Sequence, residues 1–301
     1  MSIIDFKNVS YTYAYNEYSQ GDPTPPALTD ISLSIEKGEF VAVLGHNGSG
    51  KSTFAKLINA LLIPSAGNCF VAGLDTVDPK NIYTVRKLAG MVFQNPDNQI
   101  VASIVGEDVA FGPENLGLPS DVIQNRVESA LSVVDMLDYI DKPTYALSGG
   151  QKQKTAIAGV LAMESDIIIL DEPTAMLDPI GRRDVMNTVK KLNREKNITV
   201  IFITHYMDEA INASRVIVMK NGRVAVDDTP ENVFFDPNKL REYDLLSPGV
   251  PDLAYRLRLL GLDLPKGILT IKAMTETLLS LDRIDLKSLA EPSLSEKPTT
   301  N

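Results

Sequence analysis

Residues 40–53, FVAVLGHNGSGKST, decide the architecture. Phe40–Leu44 is a continuous apolar run of strand length, and Gly45–Thr53 fits the pattern G-x-x-x-x-G-K-[ST]. The glycines let backbone N–H groups turn inward around phosphate oxygens with no Cβ in the way. Lys51 supplies a point charge for the outer phosphates, and the Ser52 hydroxyl is suited to ligate Mg²⁺. Beyond the loop, Phe54, Leu57, Ile58 and Leu61 recur at helical spacing, which predicts a helix whose N-terminus and dipole face those phosphates. Strand, phosphate loop and helix open an α/β fold. Alone, they establish phosphate binding and leave open what the energy is used for.

Two further apolar runs, Ile167–Leu170 and Thr199–Thr204, are also continuous rather than alternating. Such runs suit strands of a parallel sheet covered by helices on both faces. One ends in DEPT and the other in His205. Because ligands of open α/β sheets gather at the carboxyl ends of strands, the three endings are expected to share one crevice. Asp171 is placed to hold a Mg²⁺ shell, and Glu172 to orient or deprotonate an attacking water. Leu147–Gln151, LSGGQ, offers the Ser148 hydroxyl and the backbone N–H groups of Gly149 and Gly150 ahead of a helix expected to begin near Gln151. That is a second phosphate-binding surface. One γ-phosphate does not need two such loops from one chain, so they are expected to serve different nucleotides across an interface.

Ile3–Tyr13 and Leu28–Ile35 alternate in part around a loop rich in Pro, Gly and Tyr, which suggests antiparallel pairing at a sheet edge. Asn221-Gly222, between Arg215–Lys220 and Arg223–Asp227, is a strong hairpin signal. Between about 97 and 163 the pattern turns helical, with Ile123, Val127, Ala130, Leu131 and Val134 as one stripe and Ser120 as N-cap. This block reads as a helical insertion in the α/β core. Past residue 229, Leu253, Leu257, Leu260 and Leu264 form one apolar stripe, and Ile271, Met274, Leu278 and Leu281 another. Residues 231–290 are either helices capping the main domain of residues 1–230 or a small accessory domain, and 291–301 is polar enough to read as disordered.

With 301 residues, 44% of them apolar, the chain can bury a sizeable core. Its net charge of −10 argues against nucleic acid as principal ligand and against a basic face for anionic lipid. The lone cysteine, Cys69, forms no intrachain disulfide, which fits a reducing cytosol. Asp5 and Lys7 interrupt the stretch a secretory signal would need, and no run approaches the roughly 18 apolar residues of a spanning helix. Direct membrane insertion is not expected.

The order GHNGSGKST, VFQNP, LSGGQ, IIILDE, MLD and TH resembles the nucleotide-binding domain of ABC ATPases over about residues 1–230. The resemblance implies a P-loop α/β fold with a mostly parallel sheet, an antiparallel β edge and a helical subdomain. It also implies a head-to-tail dimer that clamps each ATP, with Mg²⁺, between one subunit's phosphate loop and the other's LSGGQ. The nucleotide contacts implied are Gly45, His46, Asn47, Gly48, Ser49, Gly50, Lys51, Ser52 and Thr53, with the His46 side chain turned away, together with Ser148, Gly149, Gly150 and Gln151. Tyr13, four residues after Val9 and in a segment that also holds Tyr11, Tyr15 and Tyr18, takes the place of the adenine-stacking aromatic. Gln94 becomes the glutamine that senses Mg²⁺ and the membrane partner, and joins Ser52 and Asp171 as a metal ligand. Glu172 becomes the general base, Asp178 lies in the loop linking the two sites, and His205 contacts the γ-phosphate.

A narrower resemblance rests on residues 92–119, VFQNPDNQIVASIVGEDVAFGPENLGLP, with ITHYMDEA and LTIKAMTETLLSL. These are similar to the A-type ATPases of energy-coupling factor importers of vitamins and metal ions, most of all the first of two A paralogues. The implied partners are a second A subunit (a homodimer being the alternative), a T-type transmembrane protein and a substrate-binding S protein. The implied location is the cytoplasmic face of the cell membrane, and the C-terminal segment would add dimer contacts. Two departures stand out: Met176 replaces the commoner Ala of the MLD motif, and the loop between Tyr13 and Leu28 is long. The rivals are a soluble ABC ATPase acting on ribosomes or DNA, which usually carries two cassettes or long coiled coils, and a P-loop kinase, in which LSGGQ has no role.

Overall fold

The computed structural model describes residues 2–13 and 25–281. Most of the tyrosine-rich loop, the last residues of the 231–290 segment and the 291–301 tail lie outside the described residues. Contacts divide the chain between Thr229 and Pro230 into two compact units.

The first unit carries two sheets. In the smaller, β1 (Ser2–Tyr11) pairs antiparallel with β2 (Leu28–Glu36) and with β4 (Ala66–Val71), which in turn pairs with β5 (Leu74–Asp75). The expected β1–β2 pairing is present, but it belongs to this separate sheet, and β1 is an inner strand of it. The physical reason is β4, which supplies β1 with a second row of hydrogen-bonding partners.

The larger sheet contains β3 (Phe40–Leu44), β6 (Ala89–Val92), β7 (Ile167–Asp171), β8 (Thr199–Ile203), β9 (Arg215–Lys220) and β10 (Arg223–Asp228) in the order β10-β9-β3-β8-β7-β6. All neighbours are parallel except the β9–β10 hairpin. Its turn residues Asn221 and Gly222 have φ of 50° and 73°, the positive pair that a two-residue hairpin requires. A Cβ on Gly222 would stand 2.7 Å from Ala27 O.

The three apolar runs of the sequence are the adjacent strands β3, β8 and β7, every residue of them buried. Alternate residues Val41, Val43, Ile167, Ile169, Ile201 and Ile203 join one core with Phe6, Ile35, Phe54, Leu57 and Ile58. Helix α1 (Lys51–Ile58) contributes Phe54, whose ring stacks on Phe6 of the small sheet with centroids 4.7 Å apart. Burying a phenylalanine in this way is worth about 1.5–3 kcal/mol, so α1 is anchored firmly beneath the phosphate loop. Leu61, expected on the same face, lies beyond the helix and is exposed, because α1 ends at Ile58.

Between these strands come α2 (Ile82–Leu88), α3 (Val105–Asn115), α4 (Ser120–Val133) and α5 (Gly149–Ala162), with α6 (Pro179–Lys196) following β7. In α4, Val127, Ala130 and Leu131 are buried as the stripe predicts. Ser120 is the first helical residue rather than the cap: Pro119, with ψ 149°, occupies the cap position and makes no side-chain cap bond.

The second unit has its own small core of Ala254, Leu264, Ile268 and Met274, with Val250, Leu257, Leu278 and Leu281 packed against it. Its longer helices span Gly249–Leu259 and Ile271–Ser280. Of the two expected stripes the second holds, with Met274, Leu278 and Leu281 in or against this core, and the first is rotated. Leu253, Leu260 and Ile271 are exposed, and the inward stripe of the first helix is Val250, Ala254 and Leu257. The same i, i+4, i+7 spacing fits both faces, and the small Ala254 side chain permits the closer packing.

Candidate active site

Gly50, with φ 105°, turns the chain from the loop into α1. A Cβ there would meet Leu28 Cδ2 at 2.6 Å and Ala27 O at 2.7 Å, so the position requires glycine twice over. Lys51 is buried, and its Nζ donates to Gly45 O (2.8 Å) and His46 O (3.0 Å). Two of its three donor hydrogens are thereby engaged and one remains. Burial lowers the Lys51 pKa, while Glu172 and Asp171 act to raise it. The hairpin tip braces the loop, since Gly222 N–H donates to Ser49 O (3.1 Å). Ser49 Oγ is buried with no hydrogen-bond partner. His46 Nδ1 lies 2.7 Å from Asn47 O, on its own loop backbone.

Ser52 Oγ donates to Asp171 Oδ1 at 3.1 Å, joining the start of α1 to the end of β7. Burial raises the Asp171 pKa, the Ser52 hydrogen bond lowers it, and neighbouring Glu172 raises it. A hydroxyl beside a buried carboxylate is a hard, oxygen-only pair that fits Mg²⁺ held through waters and phosphate. Among the described residues no three His, Cys, Asp or Glu side chains gather to form a closed metal cage.

Glu172 follows Asp171 with φ 50°, left-handed for a non-glycine residue, and its N–H donates to Ile203 O (3.0 Å). Such a backbone costs on the order of 1–3 kcal/mol, and Glu172 is held in it at the rim of the site. His205 stands two residues past β8, with Nδ1 3.4 Å from Glu172 Oε2. Tyr13 OH is 3.0 Å from Thr53 Oγ1, and its ring meets Tyr11 edge-on. A cavity of about 440 Å³ is lined by Tyr13, Ala27, Asn47, Gly48, Gly50, Lys51, Ser52, Thr53, Gln94 and Glu172.

Ser148, Gly149, Gly150, Gln151 and Asp178 do not line that cavity; they line a separate one of about 590 Å³ with Tyr139, Lys154 and Met176. Helix α5 begins at Gly149, two residues earlier than the sequence suggested. Ser148 caps it by accepting from Gln151 N (3.3 Å), and Gln151 Oε1 in turn accepts from Ser148 N (2.9 Å). This reciprocal box, which satisfies two otherwise orphaned donors, fixes the start of the helix. Asp178 caps α6 by accepting from Gly181 N (2.9 Å).

Four residues near the site escaped the sequence reading: Arg182, Thr204, Tyr206 and Glu209. Arg182 Nη2 donates to Tyr206 OH (2.6 Å), and Thr204 Oγ1 bonds buried Glu209 (2.5 Å). Thr204, Tyr206 and Glu209 lie within the quoted ITHYMDEA segment without having been given a role, and the only sequence signal of Arg182 is nearness to Asp178.

Residues 28–175 match the family model described as ABC transporter. The chain is 56% identical over 274 residues to the energy-coupling factor transporter ATP-binding protein EcfA1 of Caldanaerobacter subterraneus subsp. tengcongensis, covering 91% of this chain and 98% of that one. It is 50% identical to the Clostridium novyi EcfA1, covering 93% and 99%. Among solved structures it resembles CbiO1 of Clostridium perfringens, part of the ABC transporter complex CbiONQ, with a TM-score of 0.72, 39% identity and coverage of 84% and 98%. It also resembles a dimeric ATP-binding cassette in a post-hydrolysis state with ADP and Pi bound, with a TM-score of 0.66, 31% identity and coverage of 75% and 98%. The chain belongs to the energy-coupling factor transporter ATP-binding proteins, a branch of the ABC transporter ATPases.

Proposed function

We propose that this chain hydrolyses ATP to drive an energy-coupling factor importer, working as one half of a nucleotide-sandwiching dimer. The observation that carries the dimeric reading is the separation of two phosphate-binding surfaces, Gly45–Thr53 and Ser148–Gln151, into different cavities of one chain. Each becomes complete when it meets the other surface on a second A subunit.

In this site Lys51 and the loop N–H groups hold the β- and γ-phosphates, and Tyr13 lies against adenine. Ser52, Gln94 and Asp171 would hold Mg²⁺, which when bound would supply positive charge to offset the negative charge developing on the phosphoryl group. Glu172 orients a water in line with the γ-phosphorus and accepts its proton as the new P–O bond forms and the bond to the bridging oxygen breaks. His205 holds the γ-phosphate, and the partner's Ser148 loop stabilises its charge.

The membrane-facing partner is a T-type transmembrane protein joined by a substrate-binding S protein. A groove of about 580 Å³ lined by Tyr83, Val101, Phe111, Leu116 and Met163 is apolar enough to seat a helix of that membrane protein, and its Gln99 bonds Phe93 N beside Gln94. Attachment at the cytoplasmic face would run through this partner; among the described residues no helix is long and apolar enough to cross a membrane. The exposed Leu253, Leu259, Leu260 and Ile271 of the second unit suit it to add dimer contacts.

Co-purification from native membrane in mild detergent, with mass identification of the companions, tests this assembly. A second ATPase chain with a polytopic membrane protein is the expected result. Ribosomes or DNA in place of a membrane protein would overturn it.

A further inference from the structure

Arg182 lies in the first turn of α6, four residues after Asp178, and touches two loops at once. Its Nε donates to Leu177 O (3.0 Å), and its guanidinium lies over the Tyr206 ring, 3.8 Å from the centroid, with Nη2 bonded to Tyr206 OH (2.6 Å). The Tyr206 ring in turn lies against His205, with centroids 4.1 Å apart. From below, Thr204 Oγ1 accepts from Tyr206 N (3.0 Å) and donates to buried Glu209, so the backbone around His205 is also fixed. A continuous chain of contacts therefore runs from the Leu177–Asp178 loop through Arg182 and Tyr206 to His205 and on to Glu172.

We infer that Arg182 and Tyr206 are positioning residues that latch the His205 ring to the Leu177–Asp178 loop. The His205 side chain is 43% exposed, and its ring rotates among rotamers unless something holds it. Stacking on Tyr206 restricts that rotation, and Arg182 fixes Tyr206 by both a hydrogen bond and a cation–π contact. Because Arg182 also grips the Leu177 carbonyl, a shift of the Asp178 loop moves the same guanidinium that holds Tyr206. Seating of that loop against a partner subunit and alignment of His205 are thus one event. The inference rests on the roles proposed above for Asp178 and His205.

The test measures ATP turnover of the purified transporter complex carrying Arg182→Ala, Tyr206→Ala, Tyr206→Phe or His205→Ala, with thermal unfolding as a check on folding. Arg182→Ala and Tyr206→Ala should lower kcat about tenfold while leaving KM for ATP within about twofold, the signature of lost alignment rather than lost binding. Tyr206→Phe keeps the ring under the guanidinium and against His205, and should recover most of the loss. Wild-type kcat in both alanine variants, or a Phe variant as slow as the Ala variant, overturns the latch. So does a rise in KM with kcat unchanged. If His205→Ala itself turns over normally, the proposed role of His205 fails and the latch fails with it. Loss in His205→Ala with normal Arg182→Ala and Tyr206→Ala rejects the latch alone.

Discussion

His205 Nδ1 stands 3.4 Å from Glu172 Oε2, although the two residues leave the ends of different strands, β8 and β7. The contact follows from strand adjacency, because β7 and β8 pair in parallel with Asp171 opposite Ile203. The next residues after each strand therefore emerge side by side. The carboxylate proposed to accept a proton from water and the imidazole proposed to hold phosphate are thus brought to one rim without any long-range loop.

Replacing Lys51 by Ala removes the one buried cation among the described residues. Productive nucleotide binding should be lost, with affinity for ATP falling at least about tenfold. Equilibrium binding of a fluorescent ATP analogue measures this, and unaltered affinity contradicts the role of Lys51.

Ser148→Ala separates binding from turnover. Ser148 and its box with Gln151 lie in a different cavity from Lys51, so ATP affinity of the isolated chain should be unchanged. Turnover of the assembled complex should fall, and α5 should lose about 1 kcal/mol from its cap, visible as a lower unfolding midpoint. Weakened ATP binding in the isolated chain would argue that one chain uses both surfaces on one nucleotide.

Cys69 is buried in the core between the sheets, and burial pushes its thiol up to about 12. At pH 8 only about one molecule in 10⁴ carries the thiolate, the reactive form. Folded protein should resist alkylation by iodoacetamide at pH 8 and react rapidly once unfolded in urea, as read by mass. Because the folded pKa is raised, the neutral thiol's contribution to stability is fully present below the unfolded value of about 8.5 and is lost as pH rises towards 12.

The centre of the larger sheet was legible because β3, β7 and β8 are buried throughout and so read as unbroken apolar runs, whereas β6, AGMV, is too short to announce itself. Phe40–Leu44 has the expected bounds, and the Asn221-Gly222 hairpin could be seen from two residues whose backbone demands are rare. The separate small sheet was hidden, because β4, AGNCFV, has no run or alternation that announces a strand, and its partner β1 lies far upstream. In the second unit the stripe of Met274, Leu278 and Leu281 was legible, but that of Gly249–Leu259 was misplaced, since leucines occur on both faces of that helix and only packing over Ala254 selects one. At the site, the glycine-rich loop and the strand-ending acids announced themselves by residue type. Arg182 and Tyr206 did not, because their contact depends on how α6 and the segment after β8 pack, and no spacing encodes that.

The central claim is tested most directly by ATP hydrolysis in the purified complex with Glu172→Gln, which keeps the shape of the side chain and removes its charge. Turnover should fall by ~10² or more while ATP binding remains intact and the ATP-bound dimer accumulates. Near-normal hydrolysis in that variant would contradict the account, because among the described residues no other carboxylate lines the phosphate-loop cavity.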